Sequence, residues 1–142
     1  MKTTDEIQKE IVEEFEGFED WIEKYNYLME LAKNLPPFDE KYRKKENLIE
    51  GCQSQVWLGA EYKDGKLYFY ADSDALITKG IIALLLRIFS GQSPNDILQT
   101  EPWCIDKIGL KAHLTPTRSN GLVSMIKQIK MYALAYKTKY NL

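Results

Sequence analysis

The sequence has few of the residues from which most reactive sites are built: two cysteines and one histidine among 142 residues. Cys52 and Cys104 stand in unrelated contexts, and one pair cannot form the dense disulfide framework of small secreted domains, so both thiols are expected to be reduced. No C-x-x-C or H-x-x-x-H occurs, and Cys52, Cys104 and His113 leave a tetrahedral metal site one ligand short unless a carboxylate joins them. No metal is expected. A Gly-rich phosphate loop of the Walker or dinucleotide type is also missing. The apolar run Ile81–Leu86 stops at Arg87, far short of the roughly 20 residues that span a bilayer, and reads as a core helix. Met1–Glu10 lacks the apolar centre of a secretory signal, so a cytoplasmic location is expected. The net charge of −2, with both signs interspersed, leaves no footprint for a nucleic acid. The basic cluster Lys41, Arg43, Lys44 and Lys45 lacks the interleaved aromatics of single-strand binders and reads as a solvated loop.

What is present suffices for one core. With 44% hydrophobic residues the chain reads as a single domain over 1–142. Thr3 and Glu6 fit a capping box, and Ile7, Ile11, Val12 and Phe15 recur at helical spacing, predicting a helix over 4–16. Trp21, Ile22, Tyr25, Leu28 and Ala32 predict a second, ended by Pro36 and Pro37. Residues 38–47 keep neither period and read as a connection. Val56, Leu58, Ala60 and Tyr62 alternate as a half-buried strand, Asp64-Gly65 supplies a hairpin turn, and Leu67, Phe69 and Ala71 continue the buried face. A short strand around Asn47–Glu50 would add a third ribbon. Over 75–90 the pattern is helical and apolar nearly all round, with Asp74 placed to cap it and Gly91 to end it. Ser93-Pro94 predicts a short helix, a turn follows at Trp103, and Thr115-Pro116 opens a long helix with Leu122, Met125, Ile126, Ile129, Ala133 and Tyr136 on one face. The sum is an α+β domain: a small antiparallel sheet of about three strands packed by helices.

The most unusual local sequence is Glu50-Gly51-Cys52-Gln53-Ser54-Gln55-Val56-Trp57, where a cysteine follows glycine just before the longest strand. Glycine permits a tight turn there. A thiol at a loop tip can reach a partner's active site, whereas a structural cysteine sits among apolar neighbours; context leaves both readings open for Cys52. His113 could pair with a cysteine in catalysis only if the fold brings distant positions together, and otherwise reads as a hydrogen-bonded structural group.

Three segments in order carry a wider likeness: Gly51-Cys52-Gln53-Ser54-Gln55-Val56-Trp57, Asp72-Ser73-Asp74-Ala75 with Lys79-Gly80, and His113-Leu114-Thr115-Pro116-Thr117-Arg118-Ser119 with Gly121-Leu122. Through them the chain resembles the SufE and CsdE sulfur-acceptor proteins, from about Trp21 to the last helix. The resemblance implies a fold similar to that of the iron–sulfur scaffold proteins. It also implies a sulfur carrier: a cysteine desulfurase of the SufS or CsdA type would form a persulfide using its own pyridoxal phosphate. Cys52 would accept that sulfur and pass it on toward an iron–sulfur scaffold complex, with no cofactor on this chain.

Gly51, Gln53, Asp74, His113 and Arg118 would support the loop or touch the partner. Asp74 reads either as a helix cap or as a brace for the resting loop, and Arg118 as solvated, ion-paired or partner-facing. Gln53 and Gln55 are suited to bonding the loop backbone. Cys104 reads as a small core side chain, or as a second acceptor if it were exposed beside Cys52. Two other functions compete: a module that activates a desulfurase without carrying sulfur, and a cluster scaffold, for which two cysteines fall short of about four ligands.

Overall fold

The computed structural model describes residues 2–142. Helix α1 spans Thr4–Glu16 and opens on the reciprocal Thr3–Glu6 capping box. Helix α2, Trp21–Lys33, is capped by Asp20, whose side chain accepts from Glu23 N. Two short 3-10 turns, Glu40–Tyr42 and Lys45–Asn47, then carry the chain to the sheet.

Strands β1, Val56–Lys63, and β2, Lys66–Ser73, pair antiparallel with Val56 opposite Ser73 and Lys63 opposite Lys66. Asp64 and Gly65 both have positive φ, 51° and 82°, which the twisted two-residue turn demands. The sheet has two strands rather than three. The expected ribbon at 47–50 shrinks to a bridge between Leu48 and Trp57 and a bond from Ile49 N to Val56 O (2.8 Å). Residues 50–55 bend away at once to carry the cysteine, and a ladder cannot propagate through that bend.

Val56, Leu58, Leu67, Phe69 and Ala71 face the interior. Beneath them runs α3, Leu76–Phe89, in which Ile81, Ile82 and Leu84–Leu86 are all buried. Each such side chain contributes about 1.5–3 kcal/mol of transfer free energy. The helix lies so close to α2 that a Cβ on Gly80 would run into the Leu28 carbonyl. Helices α4, Pro94–Gln99, and α5, Trp103–Lys107, are short. Helix α6, Pro116–Tyr140, closes the far side and buries Leu122, Met125, Ile129 and Ala133. Among the described residues no helix is long and apolar enough to cross a membrane.

The basic cluster is not simply solvated. Arg43 lies over the rings of both Phe38 (4.8 Å) and Trp57 (4.7 Å), and bonds Glu40 and Asp72. Tyr42 stacks on Tyr70 and lies flat on Gly59, where any Cβ would collide with its ring. The 38–43 segment is therefore fastened across the outer face of the hairpin, a contact that charge counting along the sequence could not reveal.

Candidate functional site: the Cys52 loop

Residues 50–54 belong to neither helix nor strand, and bonds gather at the two stems of this loop. On one side Ile49 N donates to Val56 O. On the other, Gln55 is clasped by the end of β2: Gln55 N donates to Asp74 Oδ1 (3.0 Å), while Ser73 Oγ (2.8 Å) and Asp74 N (3.3 Å) donate to Gln55 O. Asp74 is thus not the cap of α3. Ala75 holds the N-cap position without a side-chain bond, and Ser73 Oγ accepts from Ala75 N. The Asp74 carboxylate turns to the loop stem, and α3 has no side-chain cap bond.

Gly51 has φ +90°, and a Cβ there would strike Ser124 Oγ on α6. Glycine is needed on both counts, for backbone conformation and for close approach. The turn delivers Cys52 half-buried against the first turns of α6, with Sγ 3.6 Å from Gly121 O in hydrogen-bond geometry. Because a carbonyl only accepts, the thiol is the donor and the contact favours the protonated form. Burial pushes the Cys52 thiol above its ordinary value.

A cavity of about 70 Å³ opens beside the sulfur, lined by Gln53, Ser54, Thr78, Ile81, Thr117, Arg118, Gly121 and Met125. Since a water occupies about 30 Å³ in the liquid, there is space for one further atom of that size next to Sγ. The missing Cβ of Gly121 helps create it: an added methyl would stand 3.5 Å from the sulfur.

Of the predicted residues, Gly51, Cys52, Gln53 and Arg118 come together here, and Asp74 braces the stem from outside. Arg118 is exposed, and its backbone N–H bonds the Thr115 cap. His113 does not line the cavity. Its ring stacks on Trp21 at 4.0 Å, its Nδ1 bonds Gly109 O, and its own carbonyl accepts from Tyr25. These contacts fasten the approach to α6 onto α2. Cys104 is fully buried, its backbone N–H donating to the equally buried Gln8 (3.0 Å), and burial pushes its thiol up to about 12. It is a core side chain.

Reading the sequence residue by residue missed Ser73, Thr78 and Gly121 as parts of the site. The matched Asp72-Ser73-Asp74 and Gly121-Leu122 segments held the signal, but neither spacing nor composition assigned the residues a role. Asp72 was missed too. Burial raises its carboxyl, yet bonds from Arg43, Lys79 and Ser73 N together outweigh burial and hold it below the ordinary value.

The match to known proteins covers most of this architecture. A family model described as SufE, Fe-S metabolism associated domain, matches residues 9–133. A SufE-like protein of Rhizobium meliloti is 42% identical over 87% of this chain and 92% of its own length. One from Synechocystis is 36% identical over 89% of this chain and 80% of its own. The Arabidopsis thaliana SufE-like protein 1, chloroplastic/mitochondrial, is 39% identical over 92% of this chain, which spans only 36% of that longer protein. A solution structure of a hypothetical protein from Thermus thermophilus shares the fold with a TM-score of 0.77 at 23% identity, covering 93% of this chain and 96% of the other. The chain belongs to the SufE family, whose domain is associated with iron–sulfur metabolism.

Proposed function

We propose that the protein carries sulfur as a persulfide on Cys52, taken from a cysteine desulfurase and delivered for iron–sulfur cluster assembly. The observation that carries the reading is a half-buried thiol on a loop bonded at its stems and resting on α6 through the Cys52–Gly121 contact, beside a cavity of atomic size. Family membership supplies the chemical context.

The step is a thiol exchange. The Cys52 thiol gives up its proton, its sulfur attacks the outer sulfur of the partner's persulfide, a new S–S bond forms and the old one breaks. The partner's thiolate leaves and takes up a proton, so no net oxidation occurs. The resting geometry opposes this reaction. The thiolate is the nucleophile, and both burial and the Gly121 carbonyl disfavour it. Attack therefore follows release of the loop on docking, when Cys52 sheds the burial that raises its thiol. After transfer, re-closure would place the outer sulfur in the cavity, away from reductants. No cofactor of its own enters the reaction. A reducing compartment suits a free thiol, and for this chain we assign the cytosol.

Intact-mass spectrometry after incubation with a desulfurase of the SufS type and cysteine tests the reading. The chain should gain the mass of one sulfur atom or more, and Cys52→Ser should gain none. Equal gain in Cys52→Ser would overturn it. Undiminished stimulation of the desulfurase by Cys52→Ser, with no gain in the parent, would make the chain an activating module.

A further inference from the structure

We propose that the solvent side of α6 is a docking surface for an acidic amphipathic helix of a partner protein, usable while the Cys52 cavity is occupied. At 100° per residue, Val123, Lys127, Met131 and Leu134 share one stripe, opposite the buried Leu122, Met125, Ile129 and Ala133. Val123 and Met131 are each 52% exposed and Leu134 is 55% exposed. The stripe spans roughly 16 Å, three turns of a helix. Its first residue is also the wall of a groove of about 400 Å³ between α5 and α6, where Trp103 and Ile126 add apolar surface. Isolated exposed apolar side chains are ordinary; a row continuous with a groove marks an interaction surface.

Charge selects the occupant. Residues 107–142 contain seven lysines and arginines and no aspartate or glutamate, and the two carboxylates that line the groove, Glu101 and Asp106, lie 3.8 Å from Lys130 and 3.7 Å from Lys111. Lys130 is committed to Leu98 O and Thr100 O, and Lys111 lies 3.7 Å from Asp106. Lys127 in the stripe and Lys137 beside it have no carboxylate partner among the described residues. An acidic helix with an apolar stripe satisfies both features, as amphipathic helices do in grooves. A second copy does not: α6 against α6 would face lysine with lysine.

The stripe also lies away from the sulfur site. Thr117, Arg118, Gly121 and Met125 reach the cavity from the inward side of α6, so a protein covering Cys52 leaves the outer side free. The role of the partner in sulfur traffic rests on the reading above, whereas binding itself does not.

The test uses the full chain and a synthetic helical peptide with leucines at i, i+3, i+4 and i+7 and flanking glutamates. The control is a scramble of the same composition. Saturable NMR shifts are expected at Trp103, Val123, Lys127, Met131 and Leu134, unchanged in Cys52→Ser. Lys127→Glu with Lys137→Glu should weaken affinity about tenfold, as loss of paired rim charges does. Met131→Glu with Leu134→Glu should abolish binding at unchanged circular dichroism and thermal midpoint.

Equal binding of the scramble, shifts confined to another face, self-association through these residues, or binding of phosphatidylglycerol vesicles instead of the peptide would each overturn the proposal. Desulfurase-driven mass gain should be normal in the Met131→Glu, Leu134→Glu protein, and a fall would overturn the independence of the two surfaces. Peptide binding without any mass gain in the parent chain would sink the carrier reading and leave the docking surface standing.

Discussion

Replacing Gly51 with alanine should spring the Cys52 loop without unfolding the protein. Two costs fall on the closed state. A φ of +90° places an L-residue in the left-handed region, at about 1–2 kcal/mol. The new Cβ also runs into Ser124 Oγ, so that side chain or the turn must shift. A combined cost of about 2 kcal/mol raises the open population roughly thirtyfold, since 1.36 kcal/mol is a factor of ten. The stems at Ile49 and Gln55 keep their bonds, so opening is local.

Alkylation of Cys52 by iodoacetamide reads the open form, and its rate should rise tenfold to thirtyfold at fixed pH. Its pH profile should move down, because the freed thiol loses the burial that raises it. Adding Ser124→Gly removes the collision but not the backbone cost, and should return part of the rate. An alkylation rate and pH profile identical to those of the parent chain would refute the idea that this contact holds the loop shut.

Asp74→Ala removes the acceptor for Gln55 N and should cost the loop stem about 1 kcal/mol. Hydrogen exchange at Gln55 should quicken severalfold while the first turn of α3 is unchanged, because Asp74 does not cap it. Gly80→Ala drives a methyl at the Leu28 backbone, which cannot yield as a side chain would, and should lower stability by about 1–3 kcal/mol in urea unfolding. Glu14, bonded by Arg87, has its carboxyl held below the ordinary 4.5. A depressed folded value means the stabilisation is present at neutral pH and fades as pH falls from about 4.5 through the lowered value. Arg87→Met should flatten that acid limb in urea midpoints measured across pH.

Most of the fold was legible because periodicity reports which face is buried. The capping box at Thr3, the Asp64-Gly65 turn and the inward face of α6 each follow from local rules that the packing does not contradict. Asp74 shows where such rules stop. Its position before an apolar helix made it a cap, but β2 ends beside the cysteine loop, and a backbone N–H on a neighbouring segment claimed the carboxylate. Nothing in the local sequence decides between two acceptor roles for one side chain. The third ribbon failed similarly: Leu48 and Ile49 are apolar side by side rather than alternating, and the cysteine turn leaves a single bridge at Leu48. Arg43, placed between two rings and two carboxylates, belongs to the same class of contact, made by residues far apart along the chain.

The resting state of Cys52 is easier to understand as protection than as preparation. A thiol raised by burial has a smaller thiolate fraction, falling tenfold for each unit, and reacts correspondingly slowly with small oxidants and disulfides. A carrier activated in place would exchange sulfur with any thiol it met. If Cys52 carries sulfur as proposed, holding the proton on sulfur through the Gly121 carbonyl makes its reactivity depend on a partner able to displace the loop from α6. The same arrangement has a measurable consequence for Gly121→Ala. Alanine favours the helix by up to about 1 kcal/mol, and its methyl meets Cys52 only at ordinary contact distance, so stability should rise slightly. That methyl also takes the space beside Sγ, so a persulfide formed on Cys52 should be reduced by added dithiothreitol faster than in the parent chain. Equal persulfide lifetimes in the two proteins would mean that the cavity does not shelter the outer sulfur.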